Sequence, residues 1–511
     1  MVIWRVLLFC VVGFGMTSCN VQTQSAPVEL AQRPTDDWRA AIDTHVLEQM
    51  QQLGIPGVAV GIVRGDQIEY LQGYGSAGDD GRPVTPQTPF YIASLSKGIT
   101  AAAVMQLVEA GRLELDAPVQ RYLPWFRLAD ADAAARLTVR HLLAQTSGFS
   151  ELDGYARNLD ANMADDALEQ SFRAMSGASL NAAPGVQFEY SNTNYDLLGL
   201  LVAAASGESY ESYIQRHIFD LLGMDNAFTS LADARLQGVA SGYYPYFGQV
   251  RSQDAVMFFG RATTPSAGLV ASAEDLSHWL IAHLNAGHDA GAQLVSPAGM
   301  DLLHTVAVSI TDEVGYAMGW TTFPFSDVLP ADATDRPAPL ALTHGGRWLG
   351  YAAQLLLLPE QELGVVLLMN LNDPAIDSAL SNIGWNVGLL ALGLPAKEFP
   401  QHEGWLLRNA RLVMAVAIVL FAAVNLWLLR RRARLAAIVA ACLVQVAAVA
   451  YLFLIRFPEA KTTLPLVLRF EPDLGQMTLV LVVLAAWSIV RAGVALIQAT
   501  SIRNKEAIDA R

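Results

Sequence analysis

The sequence predicts an α/β (α+β) fold, an antiparallel sheet flanked by helices, joined to a C-terminal bundle of three transmembrane helices. Apolar, strand-like runs gather near both ends of the region 37–397, and the stretch between them reads as helices and loops. After residue 411, three apolar runs are each long enough, at ~1.5 Å per residue, to cross a bilayer core about 30 Å thick.

Residues 1–19, MVIWRVLLFCVVGFGMTSC, place Arg5 before an apolar stretch that ends in small residues, the layout of a secretory signal. The ending MTSC is similar to a bacterial lipoprotein box, with Met16 where leucine is usual, and makes Cys19 a candidate for lipidation. An ordinary cleaved signal and an uncleaved anchor are the alternatives, and all three deliver the downstream domain outside the cytoplasm. Residues 20–36 are polar and proline-containing and read as a linker. In Gly57–Gly75, two β-rich runs flank a turn at Arg64–Asp66, a hairpin. A helix is expected from Ser94 to a stop at Gly111, and a second from a cap at Ser191–Asn194 to Gly207. GYAAQLLLLPEQELGVVLLMNL, turning at Pro359–Gly364, is a second hairpin. Residues 398–411 are a linker and 412–511 a membrane domain, with spans at about 412–429, 435–455 and 477–497. The loop Arg430–Arg434 (RRRAR) joins the first two spans and should face the cytoplasm. The domain 37–397 then lies on the outer face of a bacterial cytoplasmic membrane, in agreement with the signal. Arg491 falls near the end of the third span, where its long side chain can reach the interface.

Composition narrows the function. A net charge of −15 over 511 residues argues against a nucleic-acid partner. Hydrophobic residues at 53% make the membrane a partner. Of the 3 cysteines, none lies between Asn20 and Ala441, so that region has neither a disulfide framework nor a thiolate metal site. The histidines are scattered, His278 and His283 fit no metalloprotease pattern, and no metal or other cofactor is implied.

Within YIASLSKGIT, Lys97 is the only lysine before Lys397; positive charge elsewhere in that stretch is carried by arginine. Arginine stays protonated, whereas a desolvated lysine can lose its proton. Ser94 and Lys97 are three residues apart and share one face of a helix that starts at Ser94. Unpaired N–H groups at a helix start favour the oxyanion that a nucleophilic serine creates. The serine needs a base, and Lys97 serves only if its pKa falls well below about 10.4. A surface lysine is the alternative at this point.

SLSK resembles the Ser-x-x-Lys motif of the penicillin-recognising serine hydrolases, the serine β-lactamase-like and penicillin-binding-protein family. YSN at Tyr190–Asn192 is similar to the Tyr-x-Asn motif of its class C β-lactamase, DD-peptidase and esterase branch, and HGG at His344–Gly346 to the third motif. LTVRHLLAQTSGF, PSAGLVASAEDLSHWL and PEQELGVVLLMN match as flanks, and the resemblance covers roughly Asp37–Leu392. It implies a β-lactamase/transpeptidase-like fold, with Ser94 the acylated nucleophile, Lys97 aiding its deprotonation and Tyr190 a general base. It also implies that Asn192 binds a substrate amide. The backbone N–H groups of Ser94 and Arg347 form the oxyanion hole, with Gly345 and Gly346 letting the strand approach the substrate. Taken singly, Tyr190 is as well explained as a core tyrosine, His344 as a structural histidine, Asn192 as a helix cap and the Arg347 side chain as a surface group.

Class C β-lactamases usually carry lysine where this chain has His344, which resembles DD-peptidases and esterases instead. A neutral histidine lends less positive potential. Bringing Tyr190 from about 10 to about 7 would take roughly 4 kcal/mol, which points to a proton relay by a mostly neutral phenol. Gln145 stands where histidine or tyrosine is expected in the TSG flank and bears on local packing. The reading is a membrane-anchored serine hydrolase with weak or no β-lactamase activity. It would act through an acyl-enzyme on a small-molecule or peptide substrate, such as a D-amino-acid peptide of peptidoglycan or an ester. The alternatives are a β-lactam or cell-wall sensor acylated on Ser94 that signals through the spans, and a degenerate binding domain.

Overall fold

The computed structural model describes residues 38–157, 160–253, 260–330, 339–400, 403, 405–430, 435–457 and 462–509. The expected signal, the linker 20–36 and Cys19 lie outside the described residues, as does 431–434 of the arginine-rich loop. The chain divides into two compact units, one of Met1–Pro245 with Val250–Glu403 and one of Tyr246–Gln249 with Gly404–Arg511.

The first unit is built on an eight-stranded antiparallel sheet. Its strands are β1 (Gly57–Arg64), β2 (Gln67–Gly75), β3 (Val308–Ser309), β4 (Gly315–Ala317), β5 (Trp320–Pro324), β6 (Leu340–Trp348), β7 (Tyr351–Leu358) and β8 (Leu363–Met369). The spatial order is β2-β1-β8-β7-β6-β5-β4-β3. Both hairpins expected from the sequence are present. They meet where β1 pairs with β8, from Val58 opposite Met369 to Arg64 opposite Leu363. The two ends of the domain thus close the sheet on each other.

Strands β1, β7 and β8 are buried almost end to end, which is why they read as continuous apolar runs rather than alternating ones. Helices α1 (Trp38–Leu53) and α7 (Asp377–Ala391) cover one face. Ile42 and Val46 of α1 join Val58, Val60, Ile62, Val365, Leu367, Ile383 and Val387 in one cluster. Burying each such side chain is worth ~1.5–3 kcal/mol. Helix α6 (Ala273–Leu284) packs on the other face, close enough that a Cβ on Gly61 would lie 2.5 Å from the Ser277 hydroxyl.

Between the hairpins lie α2 (Ser96–Glu109), α3 (Glu151–Arg157), α4 (Asn192–Ser206) and the short α5 (Thr264–Ala267). Helices α2, α4 and α5 pack against one another, and the turn Ala93–Leu95 ahead of α2 packs beside β6. The first helix begins two residues later than its sequence suggests. Ala93–Leu95 form a 3₁₀ turn ahead of Ser96, and Ala93 has a left-handed φ of 48°. That conformation, costly for a non-glycine residue, breaks the helical path and sets Ser94 in a tight turn.

The second unit holds α8 (Ala410–Arg430), α9 (Leu435–Tyr451) and α10 (Pro472–Asp509). Three stretches, Ala410–Leu428, Leu435–Arg456 and Pro472–Ile502, are long and apolar enough to cross a membrane. Helix α10 overruns the 477–497 span because its polar flanks carry no hydropathy signal. One polar residue from each helix meets inside: Ser488 Oγ lies 2.7 Å from Asn425 Oδ1 and 2.6 Å from Gln445 Oε1. Side-chain hydrogen bonds of this kind hold helices together where apolar burial supplies no preference. Arg411 pairs with Asp473 at 2.6 Å. Arg491 donates to the Leu428 carbonyl at 2.9 Å instead of extending outward.

Candidate active site

Ser94 and Lys97 remain three residues apart across the join between the 3₁₀ turn and α2, and the geometry brings them together. Lys97 Nζ lies 3.1 Å from Ser94 Oγ, 2.7 Å from Asn192 Oδ1 and 2.8 Å from the Ser266 carbonyl oxygen. Lys97 is fully buried and Ser94 half-buried. Lys97 Nζ also sits 4.9 Å from the centroid of the Tyr190 ring, and the Ser94 side chain partly offsets the effect of burial on the Tyr190 phenol.

The three partners of Lys97 are not equivalent. The amide oxygen of Asn192 and the carbonyl of Ser266 carry no hydrogen and can only accept. The Ser94 hydroxyl can donate. The ammonium can donate to all three; the neutral amine, with two N–H groups and one lone pair, can keep the two obligate acceptors and take the proton of the serine. Burial pushes the Lys97 pKa down to about 7, with Asp196 pulling partly the other way.

Two further groups are held neutral. Burial pushes the Tyr190 phenol well above its ordinary value. His344 is buried, and desolvation followed by repulsion from Lys97 lowers its pKa to about 3. Its Nδ1 lies 3.0 Å from the Gly345 carbonyl, which can only accept, so Nδ1 carries the proton. The His344 ring stands 6.3 Å from that of Tyr190.

Strand β6 brings the glycines alongside. A Cβ on Gly346 would lie 2.2 Å from the Ile92 carbonyl oxygen, so only glycine lets this strand approach the turn that carries Ser94. At Gly345 a Cβ would meet nothing nearer than Arg347 NH1 at 3.7 Å. The Arg347 side chain is neither a surface group nor turned to the site. It pairs with Asp377, donates to Ser381 Oγ at 2.6 Å, and closes on the carbonyls of Gly346 and Ala353 at 3.0 Å each. Asp377 is held below the usual carboxylate range: burial pushes it up, and Arg347 is foremost among the groups that pull it down. Only the backbone of Arg347 is left to face a substrate.

Asn192 is not a helix cap: its Oδ1 is taken by Lys97. Ser191 occupies the cap position of α4 without a side-chain cap and instead donates its hydroxyl to the Ser150 carbonyl at 2.8 Å.

Gln145 does more than pack. It is fully buried with a left-handed φ of 58°. Its side-chain oxygen accepts from the Ser191 N–H at 3.0 Å and from the Asn194 amide, and its carbonyl accepts from Glu189 N–H at 2.9 Å. One glutamine thus clamps both sides of Tyr190. Gln145→Leu strips acceptors from two buried donors, each worth about 1–3 kcal/mol. We expect a lowered melting temperature and, from displacement of Tyr190, a drop of about 10- to 100-fold in Ser94 acylation, read in one probe assay. Wild-type reactivity in the variant would refute the clamp.

The beta-lactamase family model matches residues 42–383. Protein flp of Staphylococcus aureus (strain MW2) is 30% identical over 359 residues, 70% of this chain and 68% of that protein. Penicillin-binding protein 4 of Amycolatopsis lactamdurans is 29% identical over 282 residues, 54% of this chain and 73% of that one. Among solved structures, the octameric penicillin-binding protein homologue from Pyrococcus abyssi superposes with a TM-score of 0.59 at 25% identity, covering 74% of this chain and 81% of that one. The D-alanine carboxypeptidase AmpC from Burkholderia cenocepacia gives 0.56 at 23% identity, covering 69% and 98%, and shares the fold. The match runs from α1 into α7, across the whole sheet, and the chain belongs to the beta-lactamase family, whose members are generally serine hydrolases.

Proposed function

We propose that the protein is a membrane-anchored serine hydrolase that forms an acyl-enzyme on Ser94, with Lys97 as the group that takes the serine proton. The observation that carries this reading is the arrangement around Lys97 Nζ: two obligate acceptors and one hydroxyl, in a buried pocket. The Ser94 oxygen attacks the substrate carbonyl carbon as its proton moves to Lys97. The C–N or C–O bond to the leaving group then breaks, and that group takes a proton relayed through the neutral Tyr190 hydroxyl. Water repeats the sequence to release the acid and free Ser94. Backbone N–H groups of Ser94 and Arg347 would receive the oxyanion, where one such donor is worth about 2.7–4 kcal/mol. Asn192 serves twice, orienting Lys97 and offering its amide to the substrate.

The substrate class is a D-amino-acid peptide, amide or ester. The likeness to a penicillin-binding protein supports it, and so does the neutral His344 in place of a cation. The same neutrality argues for weak or absent β-lactam turnover. The three apolar helices and the arginine-rich loop after the first of them support a domain held on the outer face of the cytoplasmic membrane.

The test treats the full chain with a fluorophosphonate probe and then with esters, D-Ala-D-Ala peptides and labelled penicillin, with Ser94→Ala as control. We expect the probe on Ser94, turnover of a peptide or ester, and slow penicillin release. A membrane-impermeant probe should label Ser94 in intact cells. Penicillin that stays bound with no substrate turned over would favour a sensor. Labelling that survives Ser94→Ala would overturn the reading.

A further inference from the structure

Behind Lys97 lies a buried ion pair that none of the sequence motifs includes. Asp196, fully buried in α4, faces Arg157 at the end of α3, with Nε 3.2 Å from Oδ2. The guanidinium is fixed on its other edges by Ser171 Oγ at 2.8 Å and the Ala262 carbonyl at 3.2 Å, and lies 4.2 Å from the centroid of the Phe172 ring. The second carboxylate oxygen of Asp196 accepts the Ser266 N–H at 3.2 Å. Ser266 is the residue whose carbonyl receives Lys97 Nζ. One residue of α5 therefore holds a carboxylate by its N–H and an amine by its C=O.

We propose that Asp196 is a positioning residue that fixes Ser266 beneath Lys97 and sets the basicity of that amine, with Arg157 as the counter-charge that moderates it. The inference rests on Lys97 being the proton acceptor of Ser94. The groups facing Lys97 come from every side: Ser94 from its own turn, Tyr190 from the loop before α4, Asn192, Tyr195 and Asp196 from α4, Ser266 from α5 and His344 from β6. Tyr190, Tyr195 and His344 are all held neutral, the tyrosines by raised and the histidine by lowered pKa. That leaves the carboxylate of Asp196 as the charge acting on the amine, where an opposite charge favours the ammonium form. Burial raises the Asp196 carboxyl overall, and Arg157 opposes this in part; the donors on its two oxygens, Arg157 Nε and the Ser266 N–H, favour the anion.

Asp196→Asn removes the charge that favours the ammonium and leaves Arg157 positive behind it, so Lys97 loses its proton at lower pH. Removing both charges, Arg157→Gln with Asp196→Asn, takes away the nearer attraction and the farther repulsion together and gives a smaller shift in the same direction.

The experiment measures the second-order rate of Ser94 modification by a fluorophosphonate probe against pH, on the full chain in detergent. Three proteins are compared: wild type, Asp196→Asn and the double variant. We expect the rising limb to move to lower pH by about 1 unit or more in the single variant and by less in the double. A role confined to stability would change the rate without moving the limb. The double variant lacks the buried unpaired guanidinium and keeps the test open if the single variant does not fold. An unmoved limb in a folded variant overturns the proposal, and so does loss of fold in both, which assigns the pair to stability alone. A wild type without a rising limb refutes Lys97 as base, a different failure from a wild-type limb that the variants leave in place.

Discussion

Lys97→Arg is expected to lower the rate of Ser94 acylation by about 10³-fold or more, although the positive charge is kept. Arginine stays protonated and has no lone pair to offer the Ser94 hydroxyl. The larger guanidinium must also fit a fully buried site sized for an amine. Lys97→Met separates chemistry from packing. It is apolar, close in volume and suited to a desolvated position, and should fold while losing as much activity. The check is the probe rate alongside a thermal melt of each variant. Lys97→Arg protein that stays folded and reacts within tenfold of wild type would show that charge, not proton transfer, is what the site needs.

The second large effect is at Gly346. A Cβ there would sit 2.2 Å from a backbone oxygen, that of Ile92, which cannot rotate away. Gly346→Val must therefore push β6 off the Ala93–Leu95 turn. A displacement of about 1 Å at a reacting centre can cost 10²-fold in rate, and we expect at least that loss, with a lower melting temperature. Gly345→Ala is the matched control for stability, because its Cβ would meet nothing closer than 3.7 Å. It should melt within a few degrees of wild type. Equal destabilisation by the two substitutions would contradict the close approach assigned to Gly346.

Much of the fold is legible in the sequence because it is local. The Gly57–Gly75 hairpin, the hairpin turning at Pro359–Gly364 and the three-residue spacing of Ser94 and Lys97 are patterns over a few residues, and the structure contains each of them. The lone lysine points to a desolvated amine, and Lys97 is fully buried. The start of α2 falls two residues beyond its expected place because nothing in the sequence marks Ala93 for a left-handed conformation. The Arg347 side chain reads as a surface group in the sequence because its partners, Asp377 and Ser381, lie one helix later.

The roles of the groups behind Lys97 and around Tyr190 are not legible in the sequence, even where a matching flank contains the residue. Ser266 acts through its backbone carbonyl, so its residue type carries no information. Arg157 and Asp196 are separated by 39 positions. Gln145 stands 46 residues from the Ser191 N–H that it receives. Such contacts are set by tertiary packing, and only the folded chain brings them into view.

The most direct test of the central claim is the pH dependence of Ser94 acylation in the wild-type chain. With Lys97 lowered to about 7 and active as the free amine, the rate should rise with pH, reach half its plateau near neutrality and then level off. A rate flat across the neutral range, or one still climbing toward the ordinary lysine value of about 10.4, would contradict it.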